Sequence, residues 1–375
     1  MISDMKSLGI IAEFNPFHEG HKYIIERAMA DTGADVCIIV MSGNFTQRGQ
    51  IAVRSKWERA ADAVNQGANL VVELPTVYAC NSAEYFAKGG VSVLEGFGCV
   101  DYLAFGSEGG NLHHLQRAAG FLKENDQWMK EEVQRLMKEG LSYPKAREIA
   151  VLQADKDFDD TLIKEPNNIL GIEYLQQIKT LIPYTVKRMG VGYHESASQI
   201  REAMEAENPA YFEQIKERYW NLVASKVLQM DVQSMERIFS ADTGLANKIK
   251  KEIRYASSAE ELIDRVKSKV YTRSRISRFL THILLDIDDC SIGQAAEYIR
   301  VLGFDRTGAK FLKAVKKAEC SKLPVLTNIN KEMAAYPEIK PSLEKDILAT
   351  DLHNLITGKN LYDYSDYVMR PFSKL

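Results

Sequence analysis

The chain has 375 residues, too many for one typical core and enough for two domains that each bury a sizeable interior. Its 48 Lys and Arg against 51 Asp and Glu leave a net charge of −3, which excludes a global field for nucleic acid, so any such contact must be a local patch. Five scattered cysteines (Cys37, Cys80, Cys99, Cys290, Cys320) fit reduced thiols of a cytoplasmic protein, and no apolar run suits a signal peptide or a membrane span.

Leu8 to Ala12 is a short apolar run that reads as a central parallel strand covered on both faces. Asn15-Pro16 stops it, and a helical pattern follows from about Glu19 through Ala30. The first turn of that helix then faces the carboxyl end of the strand, where unpaired N–H groups and the positive end of the dipole suit a phosphate. Gly20 removes a Cβ from this turn, and His18 and His21, three apart, project from one side of it. Two imidazoles there can share the charge that develops on an α-phosphate during nucleotidyl transfer. The competing readings are a metal pair and two surface histidines. A zinc site needs further ligands, and no CxxC cluster or HExxH is present, so the strand context favours phosphate.

Strand and helix signals alternate up to about residue 110, the pattern of a parallel sheet with crossover helices. Further strands are expected at Val36–Met41, Leu70–Leu74 and Tyr102–Phe105, with helices around Lys56–Gln66 and Ser82–Leu94. Ligands collect at the carboxyl ends of such strands, so Ser42-Gly43-Asn44, Pro75 and Gly106-Ser107-Glu108 should surround the first turn. In the loop 42–49, Arg48 either clamps a carboxylate or phosphate or pairs a neighbouring acid. Residues 111–165 read as a charged helical insertion, with Lys145 and Arg147 beside the site. Pro166-Asn167-Asn168 opens a helix over 169–178 with an asparagine as N-cap. Tyr184–Arg188 is a last strand, and the helix starting at Ser196–Arg201 forms a second anion cradle.

From Pro209 the strands are expected to stop and helices to continue almost to the end, with a boundary near Glu202–Pro209. Ser258-Ala-Glu-Glu261 reads as a capping box. The stretch Arg265, Lys267, Lys269, Arg273, Arg275 and Arg278, with Tyr271 inside it, is either an RNA-binding stripe or a solvated helix face. Gly303–Gly308 reads as a loop with basic flanks at Arg300, Lys310, Lys313, Lys316 and Lys317.

Asn15-Pro-Phe-His-Glu-Gly-His21 resembles the HxGH signature of the nucleotidyltransferase superfamily, and Ser196–Arg201 resembles its second phosphate motif. Alanine at 197 stands where a second small polar residue belongs in that motif. The wider chain resembles the bacterial tRNA(Met) cytidine acetate ligases. The matching blocks are Met41–Gly49, Glu73–Pro75, Phe105–Glu108, Pro166–Gly171, Lys187–His194 and Ser196–Arg201. The resemblance implies a Rossmann-like parallel sheet in residues 1–205, with the insertion at about 111–165, and an all-helical tRNA-binding domain in 206–375. It implies catalysis by His18 and His21, with ATP held by Ile11, Ala12, Glu13, Phe14, Asn15, Pro16, Phe17, Gly20, Lys22, Tyr23, Ile24, Gly106, Asn167, Asn168, Arg188, Ser198 and Arg201. Which of the two asparagines touches ATP stays open. Elongator tRNA(Met) would meet Lys267, Lys269, Arg273, Arg275 and Arg278.

The implied reaction activates acetate with ATP to acetyl-AMP and passes the acetyl group to the wobble cytidine, giving N4-acetylcytidine. Magnesium is expected with ATP but no protein metal site, and neither DNA nor a membrane is a partner. Two alternatives remain at this level: a cytidylyl- or adenylyltransferase acting on a small molecule, and a tRNA-binding protein that keeps a nucleotide pocket without turnover.

Overall fold

The computed structural model describes residues 5–156, 158–188 and 196–375. The apolar runs become parallel strands β1 (Ser7–Ala12), β2 (Val36–Ser42), β3 (Leu70–Leu74), β4 (Tyr102–Ser107) and β5 (Ile182–Lys187). They lie in the order β5-β4-β1-β2-β3, with Ile10 of β1 opposite Ile39 on one side and Ala104 on the other. β2 and β3 are buried along their whole length, which is why they read as unbroken apolar runs rather than alternation. Side chains alternate between two apolar layers. Ile11, Ile38 and Val72 face one, and Ile10, Ile39 and Val71 face the other. The chain winds from β1 through β2 to β3 and then crosses to β4 on the far side of β1, so a crevice opens at the carboxyl ends of β1 and β4.

The connecting helices are α1 (Glu19–Thr32), α2 (Lys56–Asn65), the short α3 (Thr76–Ala79) and α4 (Ala83–Gly96). The insertion forms α5 (Leu112–Glu124), α6 (Asp126–Lys138) and α7 (Tyr143–Ala154), followed by α8 (Pro166–Gln177), which packs on α4 and α5. Beyond β5 come α9 (Ala197–Glu207), α10 (Pro209–Gln229), α11 (Val232–Glu236), α12 (Thr243–Glu252), α13 (Ala259–Val266) and α14 (Arg273–Leu285). Ser258 caps α13 by accepting from Glu261 N at 3.1 Å, but the expected capping box is only half formed, since Glu261 Oε2 accepts from Ser257 N at 2.8 Å rather than from Ser258 N.

The α/β reading with a parallel sheet holds, but the expectation that strands cease at Pro209 is corrected. β6 (Ile299–Asp305) joins the same sheet antiparallel to β3, with Val301 opposite Val72, and β7 (Val325–Leu326) and β8 (Phe372–Lys374) pair with β6. Gly303–Gly308 is therefore a strand end and the first turn of α15 (Arg306–Ala318), capped by Asp305, rather than a loop. Two helices, α16 (Ile329–Ala335) and α17 (Lys340–Thr357), complete the chain before the docked tail.

The reason β6 hides from a periodicity reading is Arg300, a charge in the middle of an apolar strand. Inside the protein it is neutralised. Arg300 Nη1 lies 3.1 Å from Glu73 Oε2 and 2.8 Å from Asp366 Oδ2, while Lys56 Nζ lies 2.8 Å from both Glu73 Oε1 and Asp366 Oδ2. Two cations and two carboxylates, none more than 2 % exposed, thus join α2, β3, β6 and the C-terminal tail. Trp57 Nε1 and Thr350 Oγ1 complete the set by donating to Asp366 at 3.2 and 2.9 Å. All five cysteines are free thiols, and among the described residues no helix is long and apolar enough to cross a membrane.

Candidate active site

At the carboxyl end of β1 the chain turns sharply. Phe14 is buried in the left-handed region with φ 49°, a conformation costly for a bulky residue, and its ring packs 4.8 Å from Phe17 and 4.7 Å from His21. The Asn15-Pro16 bond is cis, and Asn15 Oδ1 accepts from Val53 N at 2.9 Å. This turn delivers His18 to the N-cap of α1.

The two histidines cap the helix themselves. Gly20 N donates to His18 Nδ1 at 3.1 Å, and His18 N donates to His21 Nδ1 at 3.3 Å, with the rings stacked 3.7 Å apart. A nitrogen that accepts from a backbone N–H carries no proton, so each imidazole is the neutral tautomer with its hydrogen on Nε2. Burial, then the neighbouring His18 and Arg188, holds His21 well below the ordinary histidine range, which agrees with that state. Gly20 serves a different purpose from the one its sequence suggests. A Cβ there would sit 2.9 Å from the His18 ring, so glycine is what lets the ring fold back over the turn.

Most of the backbone N–H groups expected to face a phosphate at the start of α1 have partners within the turn. His18 N and Gly20 N are taken by imidazoles, and His21 N and Lys22 N both donate to His18 O, at 2.8 and 3.3 Å. Glu19 N is the one amide of this turn that donates to no partner among the described residues, and with it the side chains of the turn, the imidazoles among them, are the donors an anion could meet.

Two arginines supply charge. Arg201 donates to Asn15 O at 2.6 Å and to Ser198 Oγ at 3.0 Å, so the first turn of α9 sets its guanidinium over the β1 turn. Ser196 is occupied by a reciprocal cap with Gln199. Arg188 is exposed just past β5, and its stem lies against Gly106, where a Cβ would come within 3.2 Å of both Arg188 Cγ and Ile24 Cδ1. Met189 to His194 lie outside the described residues. Glu13 is the carboxylate of this cluster. Burial pushes it up, against the hydrogen bond from Gln47 N at 2.6 Å and the charges of Arg59, Arg48 and Arg201.

Several expected residues play other parts. Ile11 points into the opposite apolar layer, so only its backbone can reach the crevice, and Ala12, Phe17, Tyr23 and Ile24 pack into the layer beneath α1. Pro16 is buried and Lys22 half-buried on the α1 side. The residue at the N-cap of α8 is Glu165, not an asparagine. Glu108 fills that helix end instead. It accepts from Asn167 Nδ2 at 2.6 Å, Asn167 N at 3.3 Å and Asn168 N at 3.0 Å, while Asn168 Oδ1 accepts from Glu108 N at 3.2 Å. Asn168 is buried and Asn167 half-buried, and each has one side-chain amide atom, Nδ2 of Asn168 and Oδ1 of Asn167, with no partner among the described residues. Lys145 and Arg147 are not site residues, because they pair with Glu148 at 3.0 Å and Glu173 at 3.6 Å.

Arg59 is the residue the sequence did not single out. Fully buried, it donates to the carbonyls of Glu13 at 2.5 Å, Ser42 at 3.1 Å and Arg54 at 3.0 Å, and also to Gly43 O, holding the ends of β1 and β2 together. Burial lowers it to about 10. The available signal was an arginine on the apolar face of α2, between Trp57 and Ala60.

The basic stripe is not uniform. Arg273 pairs with Glu260 at 2.8 Å and Asp264 at 3.5 Å, Arg275 pairs with Asp242 at 2.7 Å above the Tyr271 ring, and Arg278 is largely covered. Lys267 and Lys269 are exposed with no ion pair among the described residues. Arg300 is lost to the core, whereas Arg306, Lys310, Lys313, Lys316 and Lys317 lie exposed on α15.

The profile of the family described as HIGH Nucleotidyl Transferase matches residues 5–366. A tRNA(Met) cytidine acetate ligase of Acetivibrio thermocellus is 36 % identical over 394 residues, covering 93 % of this chain and 94 % of that one. One from a Thermoanaerobacter species is 36 % identical over 405 residues, covering 99 % and 100 %. The crystal structure of Thermotoga maritima TmcAL bound with alpha-thio ATP superposes with a TM-score of 0.88 at 28 % identity, over 99 % of this chain and 100 % of that one. These likenesses take in β6 to β8 as well as the histidine turn, and the chain belongs to the HIGH nucleotidyl transferase family and, within it, to the family of the tRNA(Met) cytidine acetate ligases.

Proposed function

We propose that the protein activates acetate with ATP and transfers the acetyl group to N4 of the wobble cytidine of elongator tRNA(Met). The observation that carries this reading is the stacked His18–His21 pair, two neutral Nε2–H donors in a crevice with Arg188 and Arg201. Acetate is a poor acyl donor because oxide would have to leave. When an acetate oxygen attacks the α-phosphorus, the bond to the β-phosphate oxygen breaks, pyrophosphate leaves, and the acyl carbon gains AMP as its leaving group. The cytidine amine then attacks that carbon, AMP departs, and the amine loses a proton.

Neither step needs a covalent enzyme intermediate. The chain supplies position and positive charge. His18 and His21 donate to the phosphates, Arg188 and Arg201 carry the balancing charge, and Gly106 with Asn167 receives the nucleoside. Magnesium bound to the triphosphate would supply further charge neutralisation. Among the described residues no cluster of three or more His, Cys, Asp or Glu forms a metal cage.

Residues 1–205 are assigned the chemistry and 206–375 the tRNA, with Lys267 and Lys269 the best placed of the α13–α14 basic groups because the others are paired or covered. A reaction that joins ATP, acetate and tRNA places the protein in the cytoplasm. The test is pyrophosphate release from ATP, with and without acetate and tRNA(Met), followed by mass spectrometry of the tRNA nucleosides. Acetate-dependent release with acetylated cytidine is expected. Release that ignores acetate but requires a phosphorylated small molecule would overturn the reading.

A further inference from the structure

The loop between β2 and α2 touches both halves of the molecule. Thr46 N donates to Gln50 O and Gly49 N to Thr46 O, each at 2.9 Å, and Ala52 N donates to Asn44 O at 3.0 Å, so the loop is a closed hairpin. One side is tied to the nucleotide crevice through Gln47 N and Glu13 Oε1, 2.6 Å apart. The other side is tied to α14, where Gly49 O accepts from Ser277 Oγ at 3.0 Å and Thr281 Oγ1 at 2.8 Å. Gly49 has φ 68°, and a Cβ on it would lie 2.5 Å from the Arg278 backbone, so only glycine allows the loop to run this close to the helix.

Arg48 stands between these two anchors, with the backbone fixed on either side of it. Its side chain is exposed and makes no hydrogen bond or ion pair among the described residues, although its charge is felt by both Glu13 and Arg201. Pairing with a neighbouring acid, one of the two readings open from sequence, is therefore not what this arginine does. An exposed guanidinium on a rigid tip that is anchored to α14 fits an anion arriving from solvent on a polymer. We propose that Arg48 binds a backbone phosphate of the anticodon loop and so guides the target cytidine from α14 into the crevice. This rests on the tRNA-acetylating reading above. Acetate is a different occupant, since it must meet the α-phosphate within the crevice beside His18 and His21.

The experiment compares full-length Arg48→Gln and Arg48→Lys with the unaltered protein. For Arg48→Gln, KM for tRNA is expected to rise about ten-fold, the size of one charge-assisted hydrogen bond. The slope of log binding constant against log salt should shrink by about 0.7, one single-strand phosphate contact. KM for ATP and acetate should stay within about two-fold, and Arg48→Lys should recover most of the tRNA affinity. A rise in KM for acetate would overturn the proposal in favour of an acetate clamp, and constants unchanged throughout would leave Arg48 a solvated side chain. Filter binding of tRNA reads the Arg48 contact even if the unaltered protein releases no pyrophosphate with acetate, in which case the functional reading fails separately.

Discussion

The buried quartet of Lys56, Glu73, Arg300 and Asp366, with the buried Asp346 carboxylate acting on Glu73 and Arg300, makes a prediction about charge balance within the quartet. Lys56→Met keeps most of the apolar stem but leaves two carboxylates facing one guanidinium, a net charge of −1 in a site at most 2 % exposed. Breaking a buried pair from one side costs about 3–5 kcal/mol, because the partner stays buried and uncompensated. Glu73→Gln leaves +1 and should cost a similar amount. The double replacement leaves Arg300 against Asp366 at 2.8 Å, a balanced pair. It should be less destabilised than the sum of the singles by about 1–3 kcal/mol. Guanidinium unfolding followed by tryptophan fluorescence reads this directly, since Trp57 donates to Asp366 within the cluster. Single variants within about 1 kcal/mol of the parent, or a double variant equal to the sum, would refute the reasoning.

Further outcomes follow from the site and the core. His18→Ala removes the N-cap of α1 and, under the proposed function, a phosphate donor, so pyrophosphate release should fall about 10²–10³-fold with about 1 kcal/mol of stability. His18→Asn should restore the cap but not the rate, and a restored rate would reassign His18 to a structural role. His353 donates from Nε2 to Ala52 O at 3.0 Å, its Nδ1 has no partner, and burial lowers it from 6.5 to about 4. The unfolded chain takes a proton near 6.5 and the folded chain only near 4, so stability is lost as pH falls through that window, by about 3 kcal/mol from this group. Urea midpoints at pH 7.5 and 5 check the sign, and His353→Gln should flatten the difference. A fragment ending at residue 205 exposes the edge of β3, whose Val71 and Val72 are fully buried in the whole chain, and is expected to aggregate. A monomeric, folded fragment by size-exclusion chromatography and circular dichroism would count against the continuous sheet.

Strands β1 to β4 were legible because each is an apolar run bounded by turn residues, and the histidine turn stood out because proline, glycine and two histidines recur there in the spacing of the HxGH signature. What stayed hidden shares one cause: a charge whose partner is far away in sequence. β6 looked like a loop because Arg300 interrupts it, and only Glu73 and Asp366 explain how it is tolerated. Asn167 and Asn168 looked like caps because Glu108, which occupies the end of α8, lies 59 and 60 residues away. The α13–α14 stripe looked continuous because its neutralising acids, Asp242 and Glu260, precede it in the chain. Local pattern reports backbone preference well, but it cannot report which charges cancel after folding.

The self-capped helix also bears on how charge is handled in the reaction. A bare helix N-terminus would offer its N–H groups to phosphate directly. Here Gly20 N and His18 N donate to the Nδ1 atoms of the two imidazoles. Accepting at Nδ1 polarises the ring and strengthens donation from Nε2, since hydrogen bonds in a chain reinforce one another. Under the proposed reaction, the positive end of α1 would be relayed through the imidazoles to the place where negative charge develops, without a full charge on either ring. Protonating His21 would require its Nδ1 to release the His18 N–H, so the cap and the neutral state are one arrangement. Neutral donors also release pyrophosphate more readily than imidazolium ions would, because less ground-state attraction must be broken. In that proposal the permanent charge falls to Arg188, just past β5 and beside Gly106, and to Arg201 of α9, which donates to Asn15 O.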